Sequence, residues 1–408
     1  MTPPARTVAL LLNLAHALDH LFLLIFATAV VAIAAEFGFA RWEDLMPYGA
    51  GAFLLFGLGS LPAGRLGDLW GRRQMMLVFF FGMGASALLI AATRNAWQMA
   101  AALTLLGLFA SIYHPVGIPM LVQGSKTPGA TIGVNGLAGN LGIAAVALIT
   151  GGLIQWLGWR AAFVVPGLAC IAMGVVFARV APHETESPAK RGNKGLNTLP
   201  RAQLLRALMV MTVASASSGL LFNLTTNGNA RLLDERLRGL VSDPATLGAL
   251  LAGVYAIASL AQVIVGRLID RFPLKPLQLS VVLAQVPLLL LAAYAQGWWL
   301  YAALLACMVF IFGGIPFTDA TIVRYVDDRM RSRVAGIRLA IAVGISSVAV
   351  WALGPVVKSL GFETVLLMMA GIAAFTAGVV LCLPNEPAPA APGQPIAAPP
   401  LQAAQAAT

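Results

Sequence analysis

The stretch GRLGDLWGRR, Gly64 to Arg73, is a short polar segment wedged between two long apolar runs. Glycines at Gly64, Gly67 and Gly71 permit close backbone approach or a sharp turn, while Asp68 sits among Arg65, Arg72 and Arg73, a charge density that belongs at a membrane surface. The stretch recurs. GRLIDRFPLK, Gly266 to Lys275, repeats Gly-Arg-Leu-x-Asp at an offset of 202 residues (266 minus 64, and 270 minus 68). A separate segment agrees: Gly133, Gly151 and Gly158 match Gly336, Gly354 and Gly361 at an offset of 203 (336 minus 133). The chain therefore reads as two copies of one design.

Working outward, 59% of the 408 residues are hydrophobic, only 10% are charged and the mean hydropathy is +0.84, which excludes a soluble globular domain. Apolar runs recur at the roughly 20-residue length needed to cross a hydrocarbon core of about 30 Å, and nothing alternates like the strands of a barrel. The sequence predicts an all-α membrane protein with twelve spans, at 8–35, 47–66, 75–93, 98–122, 132–155, 161–181, 204–230, 244–265, 277–295, 298–323, 335–358 and 363–383. The formal charge of +10 belongs to the loops of one face, where Arg72, Arg73, Lys190, Arg191, Arg271 and Arg331 fall; by the positive-inside rule that face and both termini are cytoplasmic. That placement accounts for the basic excess without nucleic acid.

The domains follow: a first six-helix half at 1–181, a cytoplasmic linker at 182–203 rich in Pro, Gly, Asn and charge, a second half at 204–383, and an Ala/Pro/Gln tail at 384–408 expected to be disordered. The three cysteines show no metal-ligand spacing, and the first apolar run outlasts a signal peptide. No phosphate-binding Gly-rich loop and no Ser-His-Asp elbow is present, so the reading is neither an ATP-driven pump nor an enzyme, with no cofactor.

Twelve spans in two related halves, with Gly64, Leu66, Asp68, Gly71, Arg72 and Arg73 in the loop after the second, resemble the major facilitator superfamily. The resemblance implies two pseudo-symmetric six-helix bundles that rock by alternating access, and a gate in which Asp68 meets the N-terminus of the eleventh helix near Arg333 to Gly336. Gly266, Asp270 and Arg271 form the second-half counterpart. A narrower similarity, carried by His16-x-x-Asp19, His114-Pro115 and Gly139-Asn140-Leu141-Gly142, is to fosmidomycin-resistance-like exporters. Two features of related drug antiporters are missing: Leu103 stands near the place of their fourth-helix Arg, and Gly151-Gly152 replaces a Gly-Pro pair.

The chemistry-bearing residues are few. Asp19 and Asp319 are the clearest acids inside spans, and a carboxyl there either loads and releases a proton or is bonded permanently to its neighbours. His16, Asp19 and His20 share one face of the first helix at i, i+3 and i+4. His16 and His114 each lie about 8 residues, roughly 12 Å, from the cytoplasmic ends of their helices. The resemblance places the first and fourth helices on a central cavity, making His16, Asp19 and His114 a candidate proton-coupling cluster. The same groups also suit interhelical hydrogen bonds or a transported transition metal. Asn223, Asn227, Tyr113, Asp319 and Arg338 are candidate substrate contacts; for the two asparagines the alternative is amide bonding between helices, and for Asp319 with Arg338 an ion pair that fixes packing.

The expectation is a monomeric secondary transporter of the bacterial inner membrane, exporting a small organic molecule in exchange for protons. Proton-coupled uptake of a small organic anion, transport of a divalent metal or metal chelate, and a non-transporting membrane sensor are the alternatives.

Overall fold

The computed structural model describes residues 3–41, 44–191, 200–241 and 244–384, and in them the chain is helical with no strand. Eight of the predicted spans are single uninterrupted helices: α1 (Pro3–Glu36), α2 (Ala50–Leu69), α3 (Arg72–Ala91), α5 (Pro128–Leu157), α6 (Trp159–Val180), α7 (Arg201–Arg236), α8 (Pro244–Ile269) and α9 (Leu274–Tyr294). The fourth, α4, runs from Ala96 to Ala110, loosens into a π-helical turn at Tyr113–Gly117 and ends as Ile118–Val122. Pro115 and Pro119 explain this, since neither offers an amide to an α-helical ladder. The tenth, α10, is likewise broken, into Gly297–Gly314 and Pro316–Tyr325. The last two spans form one run, Arg331–Leu381, that divides at Gly361 into α11 (331–360) and α12 (362–381).

Gly361 has φ +77°, and Gly158, between α5 and α6, has φ +84°. These are partners in the 203-residue repeat, so the duplication seen in sequence is a duplicated left-handed joint, open to glycine alone at little cost. Among the described residues, ten helical stretches are long and apolar enough to cross a membrane, and α2, rich in small residues, falls outside them. Helix α2 faces α11 and α5 faces α8, and these two contacts join the halves.

One expectation needs correcting. The 64–73 stretch is less a loop than two helix ends: Gly64 to Leu69 is the final part of α2, Trp70 and Gly71 make the turn, and Arg72 opens α3. Asp68 is thus held on a helix and aimed. The first half's apolar core takes in Val265, Ile269, Phe317 and Ala320 of the second half, while a second core is built wholly from α7 to α12. Residues 192–199 of the linker and the tail beyond Pro384 lie outside the described residues.

Candidate functional site

Two regions gather the polar side chains of the spans. The first lies where α1, α4 and α5 meet. His16 is buried; its Nδ1–H donates to the main-chain carbonyl of Asn135 on α5 at 2.8 Å, and its ring stacks on Tyr113 with centroids 4.7 Å apart. Asn135 ties the corner together, donating through Nδ2 to the Tyr113 hydroxyl at 2.7 Å and to Asn13 Oδ1 at 2.8 Å, while Tyr113 donates to the carbonyl of Leu12. The Tyr113 hydroxyl, the Asn135 amide and His16 Nδ1 each have a partner, as burial demands.

Beside the bracket, satisfaction fails. Asp19 is completely buried and neither carboxylate oxygen accepts a hydrogen bond; its neighbour is His114 Nε2, 3.7 Å from Oδ2. His114 projects from the π-helical turn, and its Nε2 lies 3.4 Å from His20 Nε2. His16 Nε2 and His20 Nδ1 are buried without partners. The glycines of α5 make the fit possible: a Cβ on Gly139 would press on the His16 ring, and one on Gly142 would strike the α1 backbone at Ala17. Sequence spacing found His16, Asp19 and His114. It left His20 and Asn135 out of the candidate set; His20 was signalled by its i+4 place after His16, whereas nothing marked Asn135 among the small polar residues of α5.

The second half contributes Arg338 of α11, whose Nη2 pairs with Asp319 Oδ1 of α10 at 3.0 Å, with both side chains mostly buried. Helix α11 packs on the π-helical turn, bringing Arg338 within electrostatic reach of His114. Asn223 and Asn227 do not join this cluster. Each amide donates to the carbonyl four residues back on α7 (Gly219 and Asn223), and Asn227 is exposed. Asn229, which lies near them on the sequence-read polar face but outside the candidate substrate contacts, reaches across to the Tyr255 hydroxyl at 3.4 Å.

The other polar region closes one face, the one carrying the 64–73 stretch. Asp68 accepts from the amides of Ser332 at 3.3 Å and Arg333 at 2.9 Å, at the N-terminus of α11. Asp270, at the end of α8, accepts from Gly129 and Ala130 at the N-terminus of α5, each at 2.8 Å. A Cβ on Gly64 would meet the Ser332 carbonyl, and one on Gly266 the Gly129 carbonyl. Arg72, wholly buried, donates to Asp328 Oδ1 at 2.7 Å, and Arg191 links the other Asp328 oxygen to Glu184. Burial pushes the Asp328 carboxyl up, but the Arg72 charge and hydrogen bond, with Arg331 and Arg191, outweigh it and hold it below its ordinary value. Gly71 makes the α2–α3 turn at φ +113°, and Arg73 donates to the carbonyls of Ala178 and Ala181 at the end of α6, where a cation complements the helix dipole. Arg271 is exposed beside its turn. Glu184, Arg191 and Asp328 carried no motif that sequence could flag.

A family model, Major Facilitator Superfamily, matches residues 12–233 and 237–406. The chain belongs to the major facilitator superfamily. It is accordingly a multi-pass membrane transporter and not an enzyme. Its helices superpose on the superfamily transporter FucP of E. coli in an outward conformation with a TM-score of 0.73, covering 93% of this chain and 99% of that one at 13% identity, a likeness of fold. Among curated relatives, a probable hexose phosphate transport protein of Chlamydia pneumoniae is 28% identical over 162 residues (37% of this chain), and the puromycin resistance protein pur8 of Streptomyces alboniger is 34% identical over 111 residues (26% of this chain). The matched stretches span only 33% and 22% of those two proteins.

Proposed function

We propose that the chain is a proton-coupled exporter of a small organic molecule in the bacterial inner membrane, with both termini cytoplasmic. The observation that carries the reading is Asp19: a carboxyl sealed from water, hydrogen-bonded by nothing, with His114 Nε2 at 3.7 Å. A carboxylate so placed is costly unless it is neutralised, and a proton or a charged cargo does that in alternation. Protons and cargo then exchange for one another, which is the thermodynamic requirement of antiport.

The two halves touch through Asp68 and α11 and through Asp270 and α5, on the face richest in Arg and Lys. Read with the positive-inside rule, that face is cytoplasmic and shut here, and breaking these contacts opens it. Similarity to a protein named for puromycin resistance favours export. The pair of Arg338 and Asp319 supports a second reading, uptake of a small organic anion, in which a substrate carboxylate takes the place of Asp319 on Arg338.

A bacterial strain stripped of its own drug exporters tests the first reading. Expression of the chain should raise the tolerated concentration of one or more compounds in a panel that includes puromycin, and Asp19→Asn at equal expression should abolish the protection. Absence of protection across the panel, or full protection by Asp19→Asn, would overturn it.

A further inference from the structure

The cluster on α1 and α4 has a geometry that proton exchange does not require. His16 Nδ1 is committed as a donor to the Asn135 carbonyl at 2.8 Å, so in the neutral ring the lone pair sits on Nε2, a buried atom with no hydrogen-bond partner. A main-chain carbonyl behind one ring nitrogen is the usual way a ligating imidazole is oriented. Imidazole nitrogens of His16, His20 and His114 all lie within 4.8 Å of one another. His20 Nε2 and His114 Nε2 are 3.4 Å apart, and Asp19 Oδ2 is 3.7 Å from His114 Nε2. In a tetrahedral site with bonds of about 2.0–2.1 Å, adjacent ligand atoms are separated by about 3.3–3.4 Å. The His20–His114 separation is already at that figure and the Asp19–His114 one about 0.3–0.4 Å beyond it, while the three imidazoles as a set, spread over 4.8 Å, must draw in by up to about 1.5 Å.

We propose that His16, His20, His114 and Asp19 form a binding site for a divalent transition-metal ion of the zinc and cobalt class. Three imidazoles and one carboxylate suit such ions; the set has too few oxygens for calcium or magnesium and no sulfur to prefer copper(I). Helix α1 delivers three ligands within little more than one turn, at i, i+3 and i+4, and the π-helical turn of α4 swings the fourth toward them. His114 and His20 are only partly buried, which gives an ion a way in.

All four ligands belong to the first half. A bound ion therefore does not staple the halves together, and the site stays whole as they move. The inference goes beyond the transport reading and stands on ligand geometry: drug protection tests transport, Asp19 being common to both readings, whereas Co2+ binding by the parent and the histidine variants tests metal alone, so either can fail while the other stands.

The test is Co2+ titration of the purified, metal-free, untagged chain in detergent, followed by visible absorption, with Zn2+ as competitor. One Co2+ per chain with the intense visible bands of tetrahedral nitrogen and oxygen coordination, displaced by one Zn2+, is the expected result. His20→Ala and His114→Ala should each weaken binding by at least about tenfold while circular dichroism and gel-filtration profiles stay those of the parent. His183→Ala, which alters the histidine outside the cluster, should bind as the parent does. Weak, octahedral-type Co2+ absorption, or affinity unchanged in a folded His20→Ala/His114→Ala double variant, would overturn the proposal.

Discussion

Asp68 accepts a hydrogen bond from the main-chain amide of Arg333 at 2.9 Å, across the boundary between the two halves. Its repeat partner Asp270 does the same to Ala130 at 2.8 Å, and the two receiving amides are themselves 203 residues apart (333 minus 130). Each half thus lays a carboxylate on the exposed amides of the other half's helix N-terminus, where the helix dipole favours negative charge. Glycines at Gly64 and Gly266 let the backbones close to that distance, because a Cβ at either would meet a carbonyl oxygen.

Asp68→Asn keeps the shape of the side chain and removes its charge. A carboxylate at a partly buried helix N-terminus contributes up to about 2 kcal/mol, which moves the balance between shut and open by roughly 5–30-fold. A cysteine placed at Ala335, buried in the shut form, should therefore react with a water-soluble maleimide about tenfold faster in the Asp68→Asn background. Equal labelling rates in both backgrounds would show that the contact does not hold the face closed.

Asp270→Asn should act in the same direction and by a similar factor. The two latches share no partner, so their effects should add in free energy and multiply in the labelling rate. A double variant no faster than either single one would mean that one latch governs the face alone.

Asp328 predicts how this face responds to acid. Its folded carboxyl is held below the ordinary value, so it binds a proton less readily than in the unfolded chain. The stability it contributes is complete above the ordinary aspartate value near about 3.9 and is lost as pH falls through the lower folded value. As pH is lowered from about 4, thermal unfolding in detergent should show a smaller loss of stability in Asp328→Asn than in the parent. At neutral pH the variant should be less stable by about 1–2 kcal/mol, a figure discounted for the partly exposed carboxylate, because Arg72 remains buried with only Asp68, 3.7 Å away, as its counter-charge.

The sequence was most informative where one residue type has one physical use. Glycine and aspartate repeats at 202 and 203 residues exposed the duplication because left-handed joints and close helix crossings admit almost nothing but glycine, and the structure places Gly158 and Gly361 at such joints. Histidines at 16 and 20 showed a shared face because helical spacing is fixed. What spacing could not supply was convergence between distant elements. The approach of His20 to His114 depends on a π-helical turn whose aim follows from packing, and the Arg72, Asp328, Arg191 and Glu184 chain joins three segments with no common pattern. Asn223 and Asn227 show another thing that spacing does not supply, the partner of a polar side chain in a span: each amide donates to the carbonyl one turn back on its own helix.

Two glycines of α5 separate propensity from packing in one helix. Replacing a helical glycine by alanine ordinarily stabilises by up to about 1 kcal/mol, and at Gly151, where a Cβ would meet nothing within 4 Å, that gain should appear as a slightly raised melting temperature. At Gly139 the added methyl lands on the His16 imidazole, which is held from its other edge by the Asn135 carbonyl and on its face by Tyr113. The ring has no room to yield without giving up one of these, so the same substitution should lower the melting temperature, by the equivalent of about 1–3 kcal/mol. Drug protection should fall with it, whereas Gly151→Ala should protect as the parent does. Gly139→Ala with a raised melting temperature and full protection would show that His16 can move freely, and that its fixed orientation is not what the cluster depends on.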